Sequence, residues 1–229
     1  MESDLGIQDK LMNPLVLKRI LRKGGVLRTS KGVHTIMSRI THEFITRILH
    51  ACILVATQGN KKTVTHASLK TACSLLGIKL AVGINPTAHV TPSLTTGPSY
   101  RKKSKTTEEG EPKKRRKSKQ GKASAREVVF QQKLDKLVFR KLTFSKYCKS
   151  ISRDTSSMII VSKPVDLESL RWSKSVFPVI QVICERYLVA IATSAWNLVI
   201  NTNHKTIKSE HIQSVLGIME NCGPYMGFW

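Results

Sequence analysis

The chain has 229 residues, with 38 lysines and arginines against 15 acidic residues, so its formal net charge is +23 at pH 7 and its pI is about 10.2. This charge indicates a polyanionic partner, and 41% hydrophobic residues are enough for one or two cores, which excludes a simple basic tail. Aromatic residues reach only 6%, which is few for a sheet that stacks bases on exposed rings. No apolar run reaches the roughly 18 residues of a membrane span, and residues 1–10 lack a secretory apolar core. We therefore expect a cytosolic, nuclear or virion protein with no membrane partner.

The first half of the chain is predicted to hold three helices in the order short, long, short. Proline at a first helical position loses no needed donor, glycine favours a helix end, and apolar residues at spacings of three and four indicate an amphipathic helix. These signals give limits of Asn13-Pro14 to Gly24-Gly25, Val33 to residues 58–60, and a cap at Thr65 to an end at Gly77.

A linker is predicted over residues 85–126. Residues 101–126 carry 12 basic and 3 acidic side chains and no Val, Ile, Leu, Phe or Trp, and a stretch rich in proline and threonine precedes them. Such a segment repels itself and is expected to be disordered. A basic cluster within it fits a nuclear-import signal and equally fits a flexible arm that contacts phosphates: Lys113, Lys114, Arg115, Arg116 and Lys117.

The second half repeats the order short, long, short. The helices are predicted near residues 144–151, from about Ser175 through Val199 with Pro178 in the first turn, and from Ser209 through Leu216. We also expect a leading helix in this half, so the domains are residues 1–84, the linker, and residues 127–229. The net charges of residues 1–84, 101–126 and 127–229 are +9, +9 and +5.

One spacing relates the two halves. Arg28 lies 35 residues before Thr63, and Arg171 lies 35 residues before Thr206. The halves are therefore interpreted as an internal duplication.

No signal for catalysis accompanies this pattern. The five cysteines form no CxxC pair, the seven histidines form no HExxH motif, and no glycine-rich loop is placed to hold a phosphate. We predict no metal, no cofactor and no enzymatic activity.

A single unit of this kind cannot bury the apolar stripe of a helix of roughly 25 residues, about 38 Å long, between two short helices. We therefore expect two units to clasp in antiparallel fashion through their long helices. Each end would then place the first loop of one unit beside the second loop of the other. Loops that carry Arg, Lys and Thr beside helix N-termini suit the binding of phosphate.

Two stretches resemble core histones. Residues 6–30, with Gly24-Gly25-Val26-Leu27-Arg28-Thr29-Ser30, and the continuation through Lys62-Thr63-Val64-Thr65 resemble histone H-four. Residues 137–144 (LVFRKLTF) resemble histone H-three, as do Leu170-Arg171-Trp172, Gln181, Cys184-Glu185, Tyr187-Leu188 and Thr206-Ile207. An H-four-like half ahead of an H-three-like half is similar to the histone doublets of giant DNA viruses of the marseillevirus type. The resemblance implies an all-α protein in which two tandem histone folds pair within one chain as a handshake heterodimer.

The resemblance also implies roles for individual residues. Arg28 and Arg171 would enter the DNA minor groove, and Thr206 and Thr63 would respectively steady them from the opposite half. Neighbouring phosphates would be bound by basic residues of the loops and helix starts: Arg22, Lys23, Lys61, Lys62, Arg140, Lys141 and Lys205. Each of these taken singly is more often a solvated surface charge, and only their matched placement favours the DNA-binding role.

Two clamps of the family are replaced here. Core histones pair an arginine of the second loop with an aspartate at the start of the third helix, whereas this chain has Lys61 with Ser68 and His204 with His211. We therefore expect modest stability of the isolated chain.

The second half departs from the family in two further places. Asn201 and His211 lie on the surface through which the H-three-like half would join a second copy, where family polar residues are changed. An insert of about eleven residues near 153–169 contains Met158-Ile159-Ile160-Val161, a candidate short strand.

The resemblance implies a DNA-packaging histone doublet that wraps double-stranded DNA without base specificity in nucleosome-like particles. Its partners would be DNA, a second copy of itself and another histone pair of the H-two-A and H-two-B type. The expected location is the virion and the host nucleus or a cytoplasmic viral factory. The alternative is a histone-fold regulator of transcription or replication that recruits protein partners, while a basic RNA-binding protein is disfavoured by the scarcity of aromatic residues.

Overall fold

The computed structural model describes residues 12–78, 122–134, 136–158 and 170–222. They form seven helices and two short strands in this order: α1 Pro14–Lys23, α2 Gly32–Gln58, β1 Thr63–Val64, α3 His66–Leu75, α4 Lys122–Gln132, α5 Lys141–Met158, β2 Arg171–Trp172, α6 Val176–Asn201 and α7 Ser209–Cys222. We call α1 to α3 the first unit and α4 to α7 the second unit. Each unit has the predicted order of short, long and short helices, with α4 leading the second.

Local signals explain the limits of the helices in the first unit. The side chain of Asn13 accepts a hydrogen bond of 2.9 Å from the Leu15 backbone N–H, which caps α1 ahead of Pro14. Gly25 has a φ of 88°, a conformation that glycine adopts without strain after a helix. Thr65 is the N-cap residue of α3, as predicted, but its side chain bonds no helical N–H and its hydroxyl lies 3.4 Å from that of Ser68.

The two loops that follow the long helices share one geometry. Asn60 has a φ of 50° and Asn203 a φ of 56°, and asparagine tolerates this left-handed region better than most residues. The next residue in each loop closes the turn, since Lys61 donates its N–H to Ala56 and His204 donates to Val199. The duplication predicted from spacing therefore extends to backbone conformation.

Helix α5 is longer than the sequence indicated. It runs through Met158, the first residue of the candidate strand, so the first part of the predicted insert continues this helix. Buried Ile151, Ser152 and Thr155 explain the extension, because this face packs inward. Residues 159–169, including most of the candidate strand, lie outside the residues that the structure describes.

The predicted linker ends earlier than expected. Helix α4 begins at Lys122, within the stretch assigned to disorder through residue 126. This helix packs against α1, where Val128 is buried and Glu127 lies 3.5 Å from Arg22. The prediction was wrong here because charge density alone does not register a docking partner that is distant in sequence. Residues 79–121 are outside the described part of the chain.

Helices α2 and α6 cross at the centre of one shared core. Phe44 of α2 stacks on Tyr187 of α6, with ring centroids 4.0 Å apart and planes 11° apart. Helix α2 also contacts α5 and α7, and α6 contacts α1, so each long helix is covered by both units. By length and composition alone both helices could cross a membrane, but 50% and 67% of their most apolar windows are already buried by this pairing. The apolar stripes thus find their partner within the same chain.

Candidate nucleic-acid interface

The first loop of the first unit lies beside the second loop of the second unit. Thr29 forms an isolated parallel bridge with Ile207, whose N–H donates to the Arg28 carbonyl at 2.9 Å. The Ser30 N–H donates to the Ile207 carbonyl at 3.0 Å. In this register Arg28 stands opposite Thr206. We call these residues the first loop pair.

The other end has the reciprocal arrangement. Strand β1 pairs with β2 in parallel, with Thr63 opposite Arg171 and Val64 opposite Trp172. The Arg171 N–H donates to the Lys62 carbonyl at 2.9 Å, and the Ser173 N–H donates to the Val64 carbonyl at 3.1 Å. We call this the second loop pair. At both ends an arginine of one unit is therefore opposite a threonine of the other, as the resemblance implied.

The residues at these ends that were predicted to bind DNA are accessible to a large partner. Five of the basic side chains are exposed, and the two threonines between them are half-buried: Arg28, Lys61, Lys62, Arg171 and Lys205, with Thr63 and Thr206. Backbone pairing fixes the loops, so the charges are carried on a rigid base instead of on free tails. A fixed array of cations suits a polyanion with regular charge spacing.

Arg22 has a different place from the one predicted. Its side chain is buried, and its Nη1 donates to the carbonyls of Val26 at 3.0 Å and Leu27 at 2.6 Å. Its Nε also lies 3.5 Å from the Glu127 carboxylate of α4. Its donors hold the turn that leads to Arg28, so Arg22 orders the loop instead of facing solvent. The sequence showed only a basic pair before two glycines.

Lys23 contacts the second unit. Its Nζ donates to the Lys136 carbonyl at 2.7 Å, which ties the end of α1 to the segment ahead of α5. The Lys23 ammonium group, which was predicted to bind a DNA phosphate, therefore already has a carbonyl partner. The next two candidates, Arg140 and Lys141, are exposed at the start of α5, where the helix dipole also favours an anion.

A buried carboxylate holds the segment before α5. Glu185 accepts hydrogen bonds from the N–H groups of Val138 and Phe139 at 2.8 to 3.0 Å, and Gln181 donates to Glu185 at 3.2 Å and to the Phe139 carbonyl at 2.9 Å. Burial raises the pKa of the Glu185 carboxyl, although these hydrogen bonds and the charge of Lys23 oppose the rise. In the sequence Glu185 contributes only to the resemblance to histone H-three, and its anchoring role could not be read there because the backbone groups that it holds are over 40 residues away.

The replaced clamps make other contacts. The rings of His204 and His211 lie 5.8 Å apart, and His211 Nδ1 accepts a hydrogen bond of 3.0 Å from the Lys208 N–H at the start of α7. Asn201, predicted with His211 to join a second copy, is exposed at the end of α6. Ile200 and Ile218 add exposed apolar side chains on α6 and α7.

No group of three or more metal-ligating side chains occurs among the described residues. Burial raises the pKa of the Cys52 thiol to about 12 and that of Cys73 to about 11, which disfavours the reactive thiolate. The basic cluster of residues 113–117 falls outside the described ranges.

Two family models match the chain in tandem. Residues 16–73 match the model of histone-like transcription factors (CBF/NF-Y) and archaeal histones. Residues 116–218 match the model of the core histone domain, which covers histones H-two-A, H-two-B, H-three and H-four. Both families consist of structural DNA-binding proteins without enzymatic activity. No curated protein matches the sequence. The matches support a DNA-binding role of the chromatin or transcription-factor type.

Proposed function

From two histone folds in tandem on one chain, which pair with each other, we propose that this protein packages double-stranded DNA by wrapping it as a core histone doublet. The reciprocal loop pairs carry the proposal: Arg28 stands opposite Thr206 and Arg171 stands opposite Thr63 in the same register. Two equivalent grips at opposite ends of one rigid pair suit a ligand that repeats along its length, as duplex DNA does.

The chemistry at each grip follows from charge and shape. An exposed arginine enters the narrow minor groove, where the electrostatic potential is most negative, and a threonine from the facing loop holds it in place. Exposed lysines at positions 61, 62 and 205 bind the flanking phosphates. None of these groups reads a base edge in the major groove, so binding depends on DNA deformability more than on base sequence.

Electrostatic binding of this kind depends on salt. The logarithm of the binding constant for B-DNA falls by about 0.9 per phosphate contact for each decade of salt concentration. A protein that uses both loop pairs and the start of α5 is therefore expected to show a steep slope and little preference among sequences.

A full particle requires more than one chain. We propose that two copies join at the surface that holds Asn201, His211 and the exposed Ile200 and Ile218 of the second unit. The exposed Leu75 and Leu76 at the end of α3 would receive another histone pair, of the H-two-A and H-two-B type. This assembly continues the DNA path past both ends of one doublet.

Nuclease digestion tests wrapping directly. The protein is reconstituted on long DNA with and without a second histone pair and digested to completion. A discrete protected length is expected, because wrapped DNA is shielded as a unit. A continuous smear down from full length would contradict wrapping, and sedimentation of the protected complex gives the number of chains.

The resemblance to viral doublets extends the proposal to location. We propose packaging of viral DNA in the virion and in the host nucleus or a cytoplasmic viral factory. Mass spectrometry of purified virions, with immunolocalisation in infected cells, tests this location. Detection of the protein only in uninfected cells would oppose it.

The second candidate is a histone-fold regulator of transcription or replication. The match of residues 16–73 to a family that includes CBF/NF-Y transcription factors favours it. Such a protein would give a footprint at particular sequences and would fail to compact DNA at high protein ratios.

A further inference from the structure

A basic cavity lies beside the first loop pair. Its volume is about 410 Å³, far more than the roughly 30 Å³ of one water in the liquid. Three cations line it, Lys18 and Arg22 of α1 and Arg28 of the loop, together with the hydroxyl residues Thr29, Thr206 and Ser124. All but Thr206 and Ser124 belong to the first unit.

Ser124 enters this cavity from a different part of the chain. It lies in the first turn of α4, the helix that extends into the predicted linker, and its side chain is half-buried. The first N–H groups of a helix lack intrahelical partners, so its first turn favours a negative charge. The surrounding sequence is basic, with Lys119 and Lys122 before the serine and Arg126 after it.

The charges in the cavity are not balanced. Glu127 lies 3.5 Å from Arg22 and offsets that one cation, which leaves the charges of Lys18 and Arg28. A phosphoserine carries about −1.5 to −2 at pH 7 and three acceptor oxygens that suit arginine and lysine. Its charge would match the two uncompensated cations.

We propose that Ser124 is a phosphorylation site whose phosphoryl group binds in this cavity and withdraws Arg28 from DNA. A serine kinase would transfer the γ-phosphoryl group of ATP: the bond to the leaving ADP oxygen breaks, a bond to Ser124 Oγ forms, and the hydroxyl proton is released. Phosphatase hydrolysis by water reverses the change. The effect on DNA rests on the proposed function, whereas the binding of the phosphoryl group in the cavity does not.

The cavity belongs to one end of the molecule. Its lining includes Arg28 and Thr206 of the first loop pair and no residue of the second loop pair, and α4 docks on α1 of the first unit. Phosphorylation would therefore loosen one of the two grips and leave Arg171 and its lysines in place. The protein would hold DNA at one end while the other opens.

The first experiment uses the full chain with phosphoserine incorporated at position 124 and follows it by phosphorus NMR without DNA. The second pKa of the phosphate group is about 6 in free phosphoserine. At position 124 of the folded chain we expect this pKa to be lower than in an unfolded peptide of residues 119–129, because the cavity cations favour the dianion. The Lys18→Gln/Arg28→Gln variant should reduce this difference, because only Arg22 and the first turn of α4 then favour the dianion. Equal pKa values in the folded chain and the peptide would overturn the proposal.

The second experiment measures DNA affinity against salt, with phosphoserine at the exposed Ser74 as the charge-matched control. Phosphorylation at 124 should lower the salt slope by about 0.9 for each cation withdrawn, and more than phosphorylation at 74 does. An equal effect at both positions would overturn the competition with DNA. If neither form binds DNA but the lowered second pKa of phosphoserine 124 is present, the cavity assignment stands and the proposed function fails.

The third experiment asks whether the modification occurs. Protein isolated from the cells that make it is digested and analysed by mass spectrometry for the peptide that contains Ser124. A phosphorylated fraction is expected, and its absence under phosphatase inhibition would overturn the assignment of Ser124 as a modification site.

Discussion

Gly24 at the end of α1 lies against Ala192 of α6 so closely that a β-carbon built on Gly24 would approach the Ala192 Cβ to 2.6 Å and the Thr193 nitrogen to 3.1 Å. This contact joins the two units at their backbones. The sequence presented Gly24 as part of a helix stop, but in the folded chain it permits the close approach of α1 to the long helix of the other unit.

We expect Gly24→Ala to destabilise the protein by about 1 to 3 kcal/mol, because the added methyl group must push apart two packed helices. Gly217→Ala is the matched control, since no atom lies within 4 Å of a β-carbon built at this position in α7. That change should stabilise the chain by about 0.5 to 1 kcal/mol through helix propensity. Urea denaturation followed by circular dichroism measures both, and equal effects would contradict the close-contact argument.

The paired arginines give a prediction about DNA. Arg28→Ala combined with Arg171→Ala should shorten or abolish the nuclease-protected length while the helical circular dichroism stays unchanged, because both side chains are exposed. Arg39→Ala is the control: this arginine is 63% exposed on α2 and pairs with Glu43. Full protection in the double variant would refute the assignment to the minor groove.

Glu185 should matter to stability through its hydrogen bonds. Glu185→Ala leaves the N–H groups of Val138 and Phe139 without their acceptor in a partly buried site, and we expect a loss of about 2 to 4 kcal/mol. Glu185→Gln retains an acceptor oxygen and should cost much less. Similar losses in the two variants would argue against the hydrogen-bonding role.

The same residue predicts a dependence on pH. Because burial raises the pKa of Glu185 in the folded chain, its contribution is fully present below the unfolded pKa and is lost as pH rises through the higher folded pKa. Stability should therefore fall across the interval that begins near pH 4.5, the ordinary value for glutamate. The difference between wild type and Glu185→Gln, measured by urea midpoints over this interval, isolates the effect from the histidines. A difference independent of pH would contradict it.

His204 and His211, which stand in place of the family's arginine–aspartate clamp in the second unit, give a test of that replacement. His204→Arg with His211→Asp places an acceptor and a negative charge at the start of α7 and a cation beside it, which should add about 0.5 to 2 kcal/mol. The two single variants complete a double-mutant cycle, and thermal unfolding measures the coupling. Strictly additive effects would show that the two positions do not act as a pair.

The order of the short and long helices, the start of α1 and the internal duplication were predictable because they depend on local signals. Proline at the start of α1, apolar spacing in α2 and α6, and the 35-residue interval from arginine to threonine each require only neighbouring sequence. The antiparallel clasp of two like units placed the first loop of one unit beside the second loop of the other, and the resemblance to core histones implied the pairing of Arg28 with Thr206. The confirmed fold therefore rests on periodicity and symmetry.

The sequence by itself determined the basic charge, the two long apolar helices and the need for each unit to find a partner. Tertiary structure decided which basic side chains remain available to a polyanionic ligand. Arg22 and Lys23 look like Arg140 and Lys141 as adjacent basic residues, yet the first two are occupied by carbonyl groups of Val26, Leu27 and Lys136, and the latter two are exposed. The start of α4 and the anchor at Glu185 also depended on packing between distant segments. A hydrogen bond to a backbone carbonyl leaves no mark on the identity of the residue that supplies it, so only the folded chain separates an exposed cation from a structural one.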